Sequence, residues 1–433
     1  MLNFFFSSFK LSMSRKNIIS SLSRSSTLIP WNQQANIKSL EILYAKGHHI
    51  YTESQKITDF TCGAMVVSLG HNNPHIYQGF QNHLKNGISY VPSNFSTRTR
   101  DYLSDRLLDV TNFIGGKVLY GNGGADANEM ACFLGQEYQS LNNQPGHRIL
   151  SFEQSFHGGS TIGASLISGD NRRVSKAKHY QLPWEPIMPN ADWNDKGEKS
   201  LETIDNLLDD SVSSILVEGS SGSAGCILYP PGYLQKLSKL CQVKNKLLIC
   251  DEVMSGFGRT GHFWGHQKQS IKPDIITCAK ALTSGYVPLS GVILSPKISE
   301  VFENNPVMCG LTYSGHPLGC EIANRCLDLY LADDLQLLHN VNEKSEELNK
   351  MGNQIAKEHD FIVEYRNNGF LGCWQLDLSD SELAQVSQLL LDNNIYCMRI
   401  REHIFTSPML GIDSELLAES MNQINTAFSQ MEN

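Results

Sequence analysis

The sequence predicts an α/β protein built on a mainly parallel sheet, from three observations. Short apolar runs recur without a polar break: Ser214 to Glu218 (SILVE), Leu247 to Cys250, and Ile275 to Cys278. Runs of this length suit strands covered on both faces, as in a parallel sheet. Each run also delivers a chemically useful side chain at its carboxyl end: Glu218, then Asp251 with Glu252, then Lys280. In open α/β sheets ligands bind outside the carboxyl ends of the strands, so these groups are expected to face one crevice.

A chain of 433 residues supports two or three domains around a sizeable core. Hydrophobic residues at 41% and charged residues at 18% are ordinary for a globular protein. A net charge of −9 argues against nucleic acid or an anionic membrane as the main partner. The eleven cysteines are odd in number and form no CxxC. Cys132, Cys250 and Cys278 lie in apolar runs, where a reduced thiol acts as a small hydrophobe. No metal-ligand spacing occurs among Cys and His, and no apolar stretch is long enough for a membrane span.

Four segments are expected along the chain: 1–30 as a targeting or disordered segment, 31–85, 86–330, and 331–433. Segment 1–30 carries Lys10, Arg15, Lys16, Arg24 and nine serines, and no acidic residue precedes Glu41. That is the composition of a mitochondrial transit peptide, the alternatives being a disordered tail or a start at Met13. From Ile50 to Phe60 a strand, a turn and a strand are predicted, followed by the turn signals of GAMVVSLGHNNPHI. Leu119 and Tyr120 end a strand, and Asn122-Gly123-Gly124 turns into a helix favoured from Asp126 onward. A glycine turn opening a helix can hold an anion, because its first amides lack partners and the helix dipole adds to them. The acidic stretch from Asp192 to Asp210 reads as a loop and a surface helix, and a helical pattern runs on from about Leu327.

A buried lysine and a carboxylate at one crevice suit pyridoxal 5'-phosphate (PLP), which needs an amine for its Schiff base and an anion beside its ring nitrogen. Taken alone, Lys280 reads as a surface lysine and Asp251 as a helix cap. The text around them decides otherwise. DEVMSGFGRTG followed by PDIITCAKALTSGYVPLSGVILS resembles the cofactor-lysine region of class III aminotransferases, a branch of the fold type I PLP enzymes. The resemblance extends over about 31–433 and is nearest to the taurine or β-alanine types that use pyruvate. It implies a large domain, 86–330, that binds PLP, and a smaller α/β domain formed by 31–85 and 331–433.

The resemblance also implies roles. Lys280 carries the cofactor and moves the proton, and Asp251 keeps the ring nitrogen protonated. LYGNGGADANE is similar to the family's NSGSEANE motif, so Gly124 and Ala125 hold the phosphate. Phe156, in Ser155-Phe156-His157-Gly158, stacks on the ring opposite Val253, although a Phe beside a His alone would read as core. Glu218 orients its neighbours. Thr312, in GLTYSGHPLGC, reaches the phosphate of a neighbouring subunit, which makes the active unit a homodimer with shared sites. Tyr90 falls in a loop that lines the substrate pocket.

Departures from the pattern carry information. Ala125 loses a hydroxyl, worth about 1 kcal/mol of phosphate binding. Asp126 replaces a glutamate, and Gly219 replaces a proline. Ser223 stands where ornithine and γ-aminobutyrate enzymes carry a gating glutamate, which argues against those substrates. Phe405 stands where several relatives present a carboxylate-binding arginine, leaving Arg399 and Arg401 as candidates for that role. The expected activity is transfer of an amino group from a primary amine or ω-amino acid to a keto acid, pyruvate first. Two alternatives stay open: other PLP chemistry (aminomutase, decarboxylase, racemase), and a degenerate, non-enzymatic relative.

Overall fold

The computed structural model of the chain describes residues 27–30, 40–144, 146–161 and 188–431. The expected targeting segment, apart from residues 27–30, lies outside the described residues. Strands β1 (Tyr44–Lys46), β2 (His49–Tyr51) and β3 (Lys56–Asp59) form an antiparallel meander near the N-terminus. The central sheet draws on β4 (Lys117–Gly121), β5 (Arg148–Leu150), β6 (Val212–Glu218), β7 (Leu247–Asp251), β8 (Ile275–Cys278) and β9 (Ser290–Leu294). Toward the C-terminus come β10 (Ile362–Asn368), β11 (Leu371–Leu376), β12 (Ile395–Tyr396), β13 (Arg399–Ile400) and β14 (His403–Thr406).

The central sheet has the order β4-β9-β8-β7-β6-β5. Strands β5 to β8 run parallel, and β9 lies antiparallel to both β8 and β4. Every residue of β6, β7, β8 and β9 is buried, because helices cover both faces. The helix Gly124–Leu141 packs its Ala127, Ala131 and Leu134 against Ile249, Ile275 and Val292 on one face. The helix Tyr233–Val243 lies on the other, burying Leu234, Leu237 and Cys241 against Leu248 and Cys250. This double cover is why the three runs read as continuous apolar stretches rather than alternating ones.

A second sheet of order β10-β11-β14-β13 is built entirely from the C-terminal hundred residues or so, backed by the helices Gln336–Glu358 and Ser414–Ser429. The short β12 leaves this group and pairs in parallel with β3, Ile395 opposite Thr58. The N-terminal meander is thereby stitched to the C-terminal part of the chain. One local expectation is corrected. The helical pattern that the sequence runs on from Leu327 is broken in the structure between Tyr330 and Gln336. Asp333, Asp334 and Leu335 all have positive φ (46°, 53° and 66°), and left-handed residues in series cannot continue a right-handed helix.

Candidate active site

The register of the parallel strands sets the site. Glu218 lies opposite Asp251 on the adjacent strand, and Asp251 opposite Thr277 on the next. Lys280 follows two residues after the end of β8. All four therefore sit along the carboxyl edge of the sheet. Their side chains meet the start of the helix Gly124–Leu141, and a cavity of about 490 Å³ opens there. Gly124, Ala125, Phe156, Glu218, Asp251, Val253 and Lys280 all line it, together with Ser223.

Asp251 is buried to 4% exposure and held on both oxygens. Its Oδ1 accepts from the Val253 amide at 2.9 Å. Its Oδ2 accepts from Asn128 Nδ2 at 2.7 Å and lies 2.8 Å from His157 Nδ1. Asn128 is fixed in turn: Nδ2 also donates to the His157 carbonyl at 2.8 Å, and Oδ1 accepts from Thr277 Oγ1 at 2.6 Å. A carboxylate with this many donors keeps one position, which suits an anion set to hold a protonated ring nitrogen.

Lys280 is half-buried, and desolvation pulls its amine below the ordinary lysine range. The nearby charges of Asp251 and Glu218 oppose that pull, while Arg259 adds to it. The backbone at Lys280 has φ +44°, a left-handed conformation that a lysine adopts only under constraint. Glu218 organises the opposite wall. Its Oε1 accepts from the Phe156 amide at 3.2 Å and from Ser223 Oγ at 3.0 Å, and its Oε2 from the Gly222 amide at 2.7 Å. Burial raises the Glu218 carboxyl above its ordinary range.

At the far end Asp126 Oδ2 accepts from the Asn122 and Gly123 amides, at 3.1 and 3.0 Å, and so caps the helix. The amides of Gly124 and Ala125 are left without intrahelical acceptors at the positive end of the dipole. Gly124 also has a steric reason to be glycine. A Cβ there would meet Val253 Cγ1 at 2.8 Å and Cγ2 at 3.0 Å. The departure at Gly219 has a local cause too. A Cβ would lie 2.2 Å from Glu252 Oε1, and the Gly219 amide donates to the Asp251 carbonyl at 3.1 Å, which a proline could not do.

Three expected site residues lie elsewhere in this chain. Tyr90 is 44% exposed, its ring 6.0 Å from that of Tyr313, and Thr312 is exposed in the loop beside it. Neither lines the cavity. Arg399 is exposed on β13 and donates to the Arg401 carbonyl at 3.2 Å. Phe405 is fully buried in an apolar cluster with Met65, Cys226, Leu371 and Cys373. Asn128, for which no role is expected from the sequence, is central to the site, and His157, expected only as a structural neighbour, contacts Asp251 directly. A signal for Asn128 existed: it is a polar residue on the buried face of a helix otherwise apolar there, beside Ala127 and Ala131.

The family model for aminotransferase class-III matches residues 32–428. The mitochondrial acetylornithine aminotransferase of Candida glabrata is 29% identical over 389 residues, covering 87% of each chain. The acetylornithine/succinyldiaminopimelate aminotransferase of Buchnera aphidicola subsp. Acyrthosiphon pisum is 31% identical over 328 residues, covering 75% of this chain and 76% of its own. Among solved structures, the taurine:2-oxoglutarate aminotransferase of Bifidobacterium kashiwanohense, in complex with PLP and glutamate, is 29% identical with a TM-score of 0.88. The match covers 96% of this chain and 98% of that one.

The Asn128–Asp251 contact generates a prediction. Asn128→Asp would bring a second carboxylate to the place where Nδ2 now lies 2.7 Å from Asp251. Two buried carboxylates that close cannot both ionise, so one has its pKa raised in the folded state. The folded variant then binds more protons than the unfolded chain, and its stability falls as pH rises through that pKa. Thermal denaturation should show a deficit of about 3–5 kcal/mol at about pH 8 that shrinks toward about pH 5. A deficit independent of pH would remove charge repulsion as its cause.

Proposed function

The chain belongs to the class III aminotransferases, a family of PLP-dependent enzymes, and from that premise we propose that it moves an amino group from a primary amine or ω-amino acid to a keto acid, with pyruvate as the acceptor. The observation that carries the reading is one cavity in which a buried lysine amine, a fixed carboxylate and an open helix N-terminus converge.

The residues present fit PLP. The cavity volume falls within the range of small-molecule sites, about 300–1,000 Å³. Gly124 and Ala125 would hold the phosphate, Phe156 and Val253 the two faces of the ring, Asp251 the ring nitrogen, and Lys280 the aldehyde carbon through a covalent bond. Bound PLP supplies an electron sink for the carbanion formed when the substrate amine carbon loses its proton. On this reading the Lys280 amine would take and return that proton. Desolvation serves the task, because it pulls the amine below the ordinary lysine range and so eases loss of its proton. Asp251 holds positive charge at the ring nitrogen. Glu218 fixes the Phe156 backbone and the Gly222–Ser223 turn and takes no proton from substrate.

Ser223 supports the donor class. Its hydroxyl donates to Glu218 at 3.0 Å, so the wall that a gating glutamate would occupy in ornithine-type enzymes is small and neutral here. Three of the four substitutions behind the degenerate-relative alternative, all but Phe405, are accommodated. Asp126 still caps the helix, Gly219 fits where a side chain would not, and Ala125 keeps its amide.

Three outcomes test this reading. The purified enzyme should show the visible absorbance of bound PLP, lose it on addition of β-alanine or taurine, and regain it with pyruvate, with alanine accumulating. Lys280→Ala should abolish that cycle. An absorbance unmoved by any amine would leave an aminomutase, decarboxylase or racemase as the better reading.

The proposal includes a homodimer with shared sites. Met308 (71% exposed), Phe95 (58%) and Tyr313 (56%) are exposed apolar side chains, Met308 and Tyr313 close to Thr312 in the chain, of the kind that a second copy covers. Sedimentation should give twice the chain mass of 48.3 kDa, and Thr312→Ala should weaken PLP retention without dissociating the dimer. A monomer that retains PLP would end the shared-site proposal.

We also propose mitochondrial import, on the basic, acid-free composition of segment 1–30. The yeast relatives named mitochondrial are consistent with it. Residues 1–30 fused to a fluorescent protein should carry it into mitochondria, and diffuse cytosolic fluorescence would refute this proposal.

A further inference from the structure

Arg259 is buried to 2% exposure, and it forms no ion pair among the described residues. Its guanidinium donates instead to neutral groups. Nη1 reaches the Pro408 carbonyl, and Nη2 reaches Ser68 Oγ at 2.9 Å, with Cys62 Sγ 3.7 Å away. Such hydrogen bonds hold a cation in place without cancelling its charge. A buried charge that lacks a counter-charge is costly, and costs of this kind concentrate where chemistry uses them.

Those partners tie the charge to the stretch that carries the lysine. The Leu69 amide, next to Ser68, donates to Ser284 Oγ at 2.9 Å, and Tyr286 Oη donates to the Gly70 carbonyl at 2.8 Å. A Cβ at Gly285 would meet Val66 Cγ1 at 2.9 Å, and Val66 lines the same cavity as Lys280. From the other side, Tyr330 packs its ring 5.5 Å from that of Phe257, two residues before Arg259. The Tyr330 hydroxyl donates to the Ala281 carbonyl at 2.8 Å. Arg259 thus clamps the 62–70 segment and Pro408 against the loop that begins at Lys280.

The charges acting on the Lys280 amine include Asp251 from the end of β7, Glu218 from the end of β6, and Arg259. His157 stands behind Asp251 at 2.8 Å. Other titratable neighbours stay neutral. Burial pushes the Cys62 and Cys278 thiols and the Tyr286 phenol up to about 12, and Tyr330 well above its ordinary range. The two carboxylates favour the protonated amine, and Arg259 favours the neutral one.

We propose that Arg259 is a positioning residue for the reaction: a fixed, uncompensated cation that docks the 62–70 segment against the loop after Lys280 and disfavours a second positive charge on the lysine. It does not line the cavity, so it acts through Lys280. The proposal deepens the aminotransferase reading and rests on it for the use of the amine. A protonated lysine can neither attack an aldehyde carbon nor accept a proton, so a neighbouring cation serves both duties. An acid beside the guanidinium would cancel that field, which gives the missing counter-charge a purpose.

The test reads the Lys280 amine directly. The full chain, freed of cofactor, is labelled with acetic anhydride across pH, and mass spectrometry follows the Lys280 peptide against exposed lysines of the same digest. Arg259→Met should move the half-labelling pH of Lys280 upward by about one unit, toward the exposed lysines. Arg259→Lys keeps the charge and should stay near the parent. Cys62→Asp sets a carboxylate beside the guanidinium without removing it, and should reproduce the upward shift. Cys62 has φ +51°, a conformation that aspartate tolerates. Ser68→Ala removes a hydrogen bond but no charge, and should lower the melting temperature while leaving the midpoint in place. An unmoved midpoint in Cys62→Asp, whether or not Arg259→Met folds, or an equal shift in Ser68→Ala, would make Arg259 a structural clamp alone and overturn the proposal. If the midpoint moves as expected while no amine changes the absorbance of the PLP-loaded enzyme, the role at Lys280 stands and the aminotransferase reading falls.

Discussion

The fixed carboxylate of Asp251 is the constraint on which the site depends. Two side chains and one amide converge on it, and each comes from a different element: Asn128 from a helix, His157 from the loop after β5, Val253 from the turn after β7. Burying an anion is tolerable only when it is fully hydrogen-bonded. That requirement links the helix, the loop and the sheet into one arrangement, because none of them can shift without leaving a buried charge short of a donor. Asn128 extends the linkage to β8 through Thr277, and β8 is the strand that delivers Lys280.

Around this anchor the protein stores cost in a few places that chemistry needs. Lys280 is half-buried, which disfavours its charge, and its backbone is left-handed. Glu218 is buried and raised, and it accepts hydrogen bonds from the Phe156 and Gly222 amides and from Ser223 that hold the aromatic wall and the Ser223 turn. Such penalties persist because the surrounding packing over-determines them. The sheet, with β6 to β9 buried throughout, supplies that packing.

Much of the cofactor end of the site was legible in the sequence. The apolar runs announced strands, strand polarity put Glu218, Asp251 and Lys280 at one edge, and the Asn122-Gly123-Gly124 turn announced an anion-binding helix start. The chemistry attached to those residues came from family resemblance as much as from pattern. Asn128 was passed over because a single polar residue in an apolar helix face has no periodic signature. Its partner, Asp251, is 123 residues away. The break at Asp333–Leu335 escaped for a related reason: composition favours helix there, and only the observed backbone angles deny it.

The substrate end divides the two kinds of information most clearly. By itself the sequence determined the strand and helix periods, the candidate lysine and carboxylate, and the absence of arginine at position 405, since these depend on local pattern and on position along one strand. Only the tertiary structure separates the surroundings of Arg399 and Arg401. Both are exposed and a single residue apart, but Arg399 lies on β13 and donates to the Arg401 carbonyl, whereas Arg401 sits in the turn closed by the β13–β14 pairing and lines a small chamber there. Tertiary structure also brought Glu153, more than 200 residues earlier in the chain, to that turn beside Arg366. Which charges are already answered and which are left for a ligand is a property of packing, because it depends on partners that no local stretch of sequence contains.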